Sequence, residues 1–200
     1  MSAKMRKNCP ENFFNALVEL HHCARHLFPV VAAWWMFESN YGRSKLALEF
    51  NNFAGLKKRA DVFKYLHYSY HDCFDTENQT YKDWDNRRDE YIRLIDPGAF
   101  HAVFFAFLSR TPYQGHGNSV VTAMFSNNPL ALLAWAAECG FCGSISGVSR
   151  TDPEFQGDGY TREGAYRRAV HYEYVRRVLD VMRGERYKEI IRLIESDSSH

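Results

Sequence analysis

The apolar residues Phe13, Phe14, Leu17, Leu20 and Leu27 fall mostly three or four positions apart, a spacing that lines one face of a helix. This period predicts an amphipathic helix over residues 11–27. Pro29 suits the first turn of a second helix over 30–39, because the N–H it lacks would have no partner there. Gly42 follows as a residue able to leave that helix through a left-handed C′ position. A third, short helix is expected over 44–50, ahead of the turn-like Asn51-Asn52. Between 61 and 95 the character changes: Val62, Phe63, Tyr65, Tyr68, Tyr70, Tyr81, Trp84 and Tyr91 crowd a stretch broken by Asp and Asn, which predicts short strands or a hairpin. Helical spacing returns at 97–109, where Phe100, Val103, Phe104, Phe107 and Leu108 form one stripe, and again at 118–125, 129–139, 162–183 and 185–195. The expected fold class is mainly α (α+β), a helical domain with one small β-hairpin lobe near the middle. With no repeat, low-complexity tract or Pro/Gly/Ser linker to divide it, the chain is expected to form a single domain over 1–200.

Composition narrows the class. With 46% hydrophobic and 24% charged residues in 200, the chain has ample material for a core, which excludes intrinsic disorder. Lys and Arg number 25 and Asp and Glu 24, a formal net charge of +1, so no field favours a polyanion and no nucleic-acid partner is expected. No apolar run reaches the roughly 18 residues of a membrane span. The start, MSAKMRKNCPENFF, has basic residues but no apolar stretch behind them, so neither a membrane association nor a Sec-type leader is expected. The five cysteines, Cys9, Cys23, Cys73, Cys139 and Cys142, are irregularly spaced and are expected to be reduced. Cys139 and Cys142 form a C-x-x-C, but no second pair follows at zinc-finger spacing and no βαβ context supports a redox site.

The most informative segment is Pro29 to Ser44, where one carboxylate, Glu38, closes an otherwise apolar helix. Counting back three, four and seven residues from Glu38 gives Trp35, Trp34 and Val31 on the same helical face. Burial beside indole rings disfavours a charged carboxyl, and so does the negative end of the helix dipole in the last turn. Both raise the pKa. A carboxyl kept protonated near neutral pH is what a glycosidase uses to protonate a leaving oxygen. The alternative is an ordinary carboxylate at a helix end, or one paired with Arg43.

A family resemblance bears on that choice. The stretch FESNYGRS at 37–44, followed by NNFAGLK at 51–57, resembles the ALESGWGxS…NxFGIK signature of the glycoside hydrolase family 73 glucosaminidases, which cut peptidoglycan. DTE at 75–77 is similar to that family's TTE on its β-hairpin, YIRLID at 91–96 to its FRxYDS, SRTPY at 109–113 to its SRNPRY and TDP at 151–153 to its ATDPxY. The blocks keep family order over about residues 28–183. The resemblance implies a lysozyme-like helical domain with a small β-lobe and no cofactor or bound metal. It makes Glu38 the catalytic acid and Glu77 the second carboxylate, which activates water or stabilises an oxocarbenium ion. It also makes Tyr41, Asn52 and Phe53 candidate substrate contacts. The family's aromatic after TDPx is Tyr where this chain has Phe155, so Tyr160 in the following Gly-rich stretch becomes a substitute candidate. Trp34, Trp35 and Trp84 are either sugar-stacking rings or core.

Other readings remain open at this level. The Glu-Ser-Asn-Tyr run is also similar to the acid motif of lytic transglycosylases and goose-type lysozymes, so a phage-derived transglycosylase or muramidase using the same Glu is the alternative. Those enzymes continue into a GLMQ-like block that this chain lacks. His22 with His26, and His67 with His71, stand four apart as zinc ligands can on a helix, though H-E-x-x-H is missing. A catalytically dead wall-binding module is a third class. Peptidoglycan lies outside the cytoplasmic membrane, so a chain without a Sec leader is expected to reach it by a phage lysis system or a contact-dependent injector such as type VI secretion. The expected partners are glycan strands and, for an injected effector, a cognate immunity protein occluding the cleft.

Overall fold

A computed structural model describes residues 9–57, 91–109, 125–138 and 141–197. Among the described residues every regular element is helical: α1 Glu11–Cys23, α2 Phe28–Ser39, α3 Lys45–Phe50, a tight turn Pro97–Ala99 leading into α4 Phe100–Ser109, α5 Pro129–Glu138, α6 Gly159–Arg183 and α7 Glu185–Asp197. The mainly α class is therefore correct. No described helix is long and apolar enough to cross a membrane. The hairpin expected within 61–95 lies outside the described residues except for its edge, where Tyr91 and Lys57 form an isolated antiparallel bridge and no strand. The helix expected over 118–125 also falls outside them, apart from Phe125.

The first helix ends at Cys23, not Leu27. Helix carried through to Pro29 would drive its ring against the carbonyl of Arg25 and leave that carbonyl without a donor. The chain breaks instead at Ala24 (φ −142°) and turns, with the N–H groups of Leu27 and Phe28 both donating to the Ala24 carbonyl at 2.9 Å. Pro29 then sits in the first turn of α2. Leu27 is still fully buried, so it kept the apolar period without being helical.

Helix α2 is the axis of the molecule. Phe28 and every residue from Val30 to Met36 are buried, as expected of a helix that is apolar all round. The Trp34 ring is edge-on to Phe104 of α4 at 4.9 Å and to Phe141, beyond the end of α5, at 4.6 Å. Trp35, about 100° further round the helix, meets Phe100 at 4.8 Å and Phe104 at 5.4 Å. Both indoles are 0% exposed, so they are core and offer no face to a sugar.

Along α6 the buried residues are Tyr166, Val170, Tyr174 and Val178, a stripe of period four that packs against α2. This helix starts at Gly159, three residues ahead of the expected start, because Asp158 caps it: its Oδ1 accepts from the Thr161 N–H at 2.8 Å. Ser44 caps α3 in the same way through the Ala47 N–H at 3.2 Å.

Candidate active site

Glu38 is the penultimate residue of α2, and the chain beyond it turns sharply. Asn40, Tyr41 and Gly42 are all left-handed, with φ of 50°, 58° and 76°. Asn40, not Gly42, is thus the first residue out of the helix; asparagine tolerates that region better than other residues with a side chain. Ser39 ties the turn together. Its hydroxyl donates to the Trp35 carbonyl at 2.6 Å and accepts from the Gly42 N–H at 2.8 Å. Backbone bonds from Tyr41 to Met36 (2.8 Å) and from Ser44 to Ser39 (2.8 Å) close it. The turn fixes the end of α2, and so the direction in which Glu38 leaves it.

The Glu38 carboxyl faces α6, where the Tyr174 hydroxyl donates a hydrogen bond to Oε1. Tyr174 is 4% exposed and meets Phe37 edge-on at 5.5 Å. The Trp34 indole N–H, fully buried, makes no hydrogen bond of full geometry, yet lies close enough to Glu38 and Tyr174 to favour both anions. Cys142 completes the surroundings, its thiol pushed up to about 11 by burial and by the Glu38 charge. Burial raises the Glu38 pKa above its ordinary value, against the opposing pull of Tyr174 and Trp34, and the C-terminal end of the α2 dipole acts in the same direction as burial. Burial and the Glu38 charge likewise hold the Tyr174 phenol well above its ordinary range. The arrangement is a carboxylic acid biased towards its neutral form, with one oxygen already accepting a hydrogen bond.

Helix α6 also anchors the 141–158 segment. Arg177 donates to the Ser146 hydroxyl at 2.8 Å and carbonyl at 2.6 Å, and its Nε is held by Glu173 at 2.7 Å. Arg150 bonds Glu163 through two nitrogens, at 3.0 and 3.2 Å, and lies over the Tyr166 ring. Next to Cys142 this leaves a cavity of about 240 Å³, lined also by Glu138, Arg150, Glu163, Arg167 and His171.

The other sequence-derived candidates fall elsewhere. Asn52 is 1% exposed, and its side chain is spent on the protein: it donates to the carbonyls of Leu56 (2.9 Å) and Ile92 (3.2 Å) and accepts from the Leu56 N–H (2.9 Å). Phe53 is 0% exposed and packs on Phe13 and Phe100, each at 5.0 Å. Neither presents surface to a ligand, so both correct to core residues. Tyr41 is half-buried under the Arg186 guanidinium, 4.0 Å from its ring, with its hydroxyl beside Gly184. Gly184 follows the end of α6, about 15 Å along the helix from Tyr174, so the Tyr41 phenol sits away from the carboxyl. Tyr160, in the first turn of α6, is 92% exposed and about 20 Å along the helix from Tyr174 in the other direction. Phe155 is buried edge-on to Tyr166 at 5.8 Å. Glu77, Trp84, His67, His71 and Cys139 lie outside the described residues.

The His22 and His26 pair does not share a helix, since α1 stops at Cys23, and among the described residues no group of three His, Cys, Asp or Glu could hold a metal ion. The residue that sequence reasoning missed is Tyr174. Its one signal is a phenol on a buried stripe, whose hydroxyl must find a partner.

Comparison of the chain with protein-family models, with curated proteins and with solved structures finds no match.

Proposed function

We propose that this chain is a peptidoglycan glycoside hydrolase that cleaves the β-1,4 bond after N-acetylglucosamine, with Glu38 as general acid. The observation that carries the reading is the Glu38 carboxyl itself: it ends a wholly apolar central helix, and burial pushes it towards its neutral form. In this mechanism Glu38 gives its proton to the glycosidic oxygen as the bond from that oxygen to the anomeric carbon breaks. Water then adds to the anomeric carbon and gives its proton to a carboxylate, either Glu77 or the Glu38 carboxylate left by the first step. Glu77, on a proposed β-hairpin lobe of a lysozyme-like domain, is the second carboxylate. The motif resemblance supports the choice of bond, and mass spectrometry of the reducing ends released from purified sacculi tests it. N-acetylglucosamine ends are expected, whereas N-acetylmuramic acid or 1,6-anhydro ends would refute the assignment.

For Glu77, replacement by alanine is expected to cut turnover about 100-fold with little change in Tm. If Asp75→Ala or Asp83→Ala does the damage instead, the second carboxylate is a neighbour in the same segment.

We further propose that the enzyme acts in the periplasm of a target cell as an antibacterial effector, and that a cognate immunity protein blocks the Glu38 cleft. Expression with a Sec leader in a bacterial host is expected to lyse cells, while cytoplasmic expression is not. Survival of cells exporting a protein that cleaves sacculi in vitro would leave a phage or housekeeping hydrolase as the better account.

A further inference from the structure

We propose that Tyr174 is a positioning residue for the acid: its hydroxyl holds Oε1 of Glu38 as an acceptor, so the transferable proton is carried by Oε2 alone. The inference rests on the general-acid reading of Glu38 but concerns a residue on a different helix, far away in sequence.

Three observations carry it. First, the phenol donates to Oε1, and the better acceptor of a neutral carboxyl is its carbonyl oxygen, which leaves the hydroxyl to the other oxygen. Second, the buried Trp34 indole N–H can only donate and favours the anions of both Glu38 and Tyr174, so it does not compete with Glu38 for the phenol hydrogen. Third, Tyr174 cannot drift off this geometry: it is 4% exposed, edge-on to Phe37 at 5.5 Å, and belongs to the stripe that packs α6 on α2.

The same pair of donors has a second consequence. When the Oε2 proton passes to the glycosidic oxygen, and the electrons of the breaking bond go to that oxygen, Glu38 becomes a buried carboxylate. The Tyr174 O–H already donates to it and the buried Trp34 N–H favours its anion, so the developing charge meets a donor that is already in place. Burial keeps the acid neutral before the step, and the two donors stabilise its anion during it. The other ionisable groups facing the carboxyl are few. Among the described residues they are Tyr174 on α6, held well above its ordinary range, and Cys142 on the 141–158 segment, pushed up to about 11. Neither titrates where Glu38 does.

The test reads the carboxyl directly. In protein labelled with 13C at the Glu side-chain carboxyl, the Glu38 resonance is identified by its loss in Glu38→Gln, and its midpoint is followed in wild type and in Tyr174→Phe. Loss of a hydrogen bond to the anion is expected to move that midpoint up by about one to two pH units. In turnover of sacculi, kcat should fall about 10- to 100-fold with KM unchanged, and the basic limb of the kcat/KM profile should move up with the midpoint. An unmoved midpoint would overturn the proposal and reduce Tyr174 to packing. Should Tyr174→Phe not fold, wild-type chain grown with 3-fluorotyrosine supplies a more acidic, stronger donor in the same place, and the Glu38 midpoint must then move down; no movement overturns the proposal equally. A hydrolytically active Glu38→Gln would instead refute the proposed function, whatever the titration shows.

Discussion

Glu38→Gln is expected to lower the hydrolysis of sacculi by about 10²–10⁴-fold, the range over which a positioned general acid contributes, while leaving the fold intact. The amide keeps the shape of the carboxyl, and its oxygen can still accept from Tyr174, so only the transferable proton is lost. Stability provides the control, and its sign follows from linkage. Burial raises the folded-state pKa of Glu38 above its unfolded value, so the native protein binds this proton more tightly. The resulting stabilisation is fully present below the ordinary carboxylate range and is lost as pH rises through the raised value. The amide never ionises. Relative to wild type, the variant should therefore gain Tm on going from acidic to neutral pH and be no less stable at neutrality. Wild-type activity should decline with rising pH over the range in which Glu38 ionises. Activity of the variant within about threefold of wild type, by dye release from labelled sacculi, would remove Glu38 from the mechanism and revive the wall-binding reading.

The helices were legible because their hydrophobic periods are local. Phe13, Leu17 and Leu20 mark α1, Phe100, Val103 and Phe104 mark α4, and all are buried. Glu38 was legible for a related reason: a single carboxylate on a helix buried all round must either ionise at a cost or be kept neutral. The period misled where burial continued without helix. Leu27 extends the apolar spacing of α1, yet it is buried by a turn that Pro29 enforces, so the four-residue spacing of His22 and His26 had no helical meaning.

Tyr174 could not be paired with Glu38 from spacing, because 136 residues separate them and a Tyr-Val-Tyr-Val stripe reads as plain core until the partner of its hydroxyl is seen. Motif likeness misplaced residues in a different way. Asn52 and Phe53 sit in a block that resembles a signature, but the same residues build a turn, and here Asn52 staples residues 52–56 to the edge at Ile92. Tyr160 lies close in sequence to the position where the resembled family has a phenol and this chain has Phe155. The helix it opens runs about 20 Å before reaching the carboxyl, and the phenol found there is Tyr174.

The turn that aims Glu38 has one position with no freedom, and Gly42→Ala is expected to destabilise the protein by about 2–5 kcal/mol. Two costs combine. At φ +76° a β-carbon pushes against its own backbone, for about 1–2 kcal/mol. That carbon would also lie 2.5 Å from both Cβ and Cγ of Phe13, far inside van der Waals contact, and relieving such overpacking typically costs about 1–3 kcal/mol. Phe13 has little room to give way, being 0% exposed and packed on Phe53 at 5.0 Å. For a chain of this size the loss corresponds to a fall in Tm of about 4–20 °C, and a urea midpoint should drop with its slope unchanged. Gly55→Ala separates the two causes. Gly55 has a similar φ of +64°, but its added β-carbon meets nothing within 4 Å, so it should show the backbone cost alone. Equal losses in the two variants would mean that Phe13 yields. A larger loss at Gly42, with the folded remainder also slower on sacculi, would show that α1 sets the end of α2 through this contact, and with it the direction of the acid.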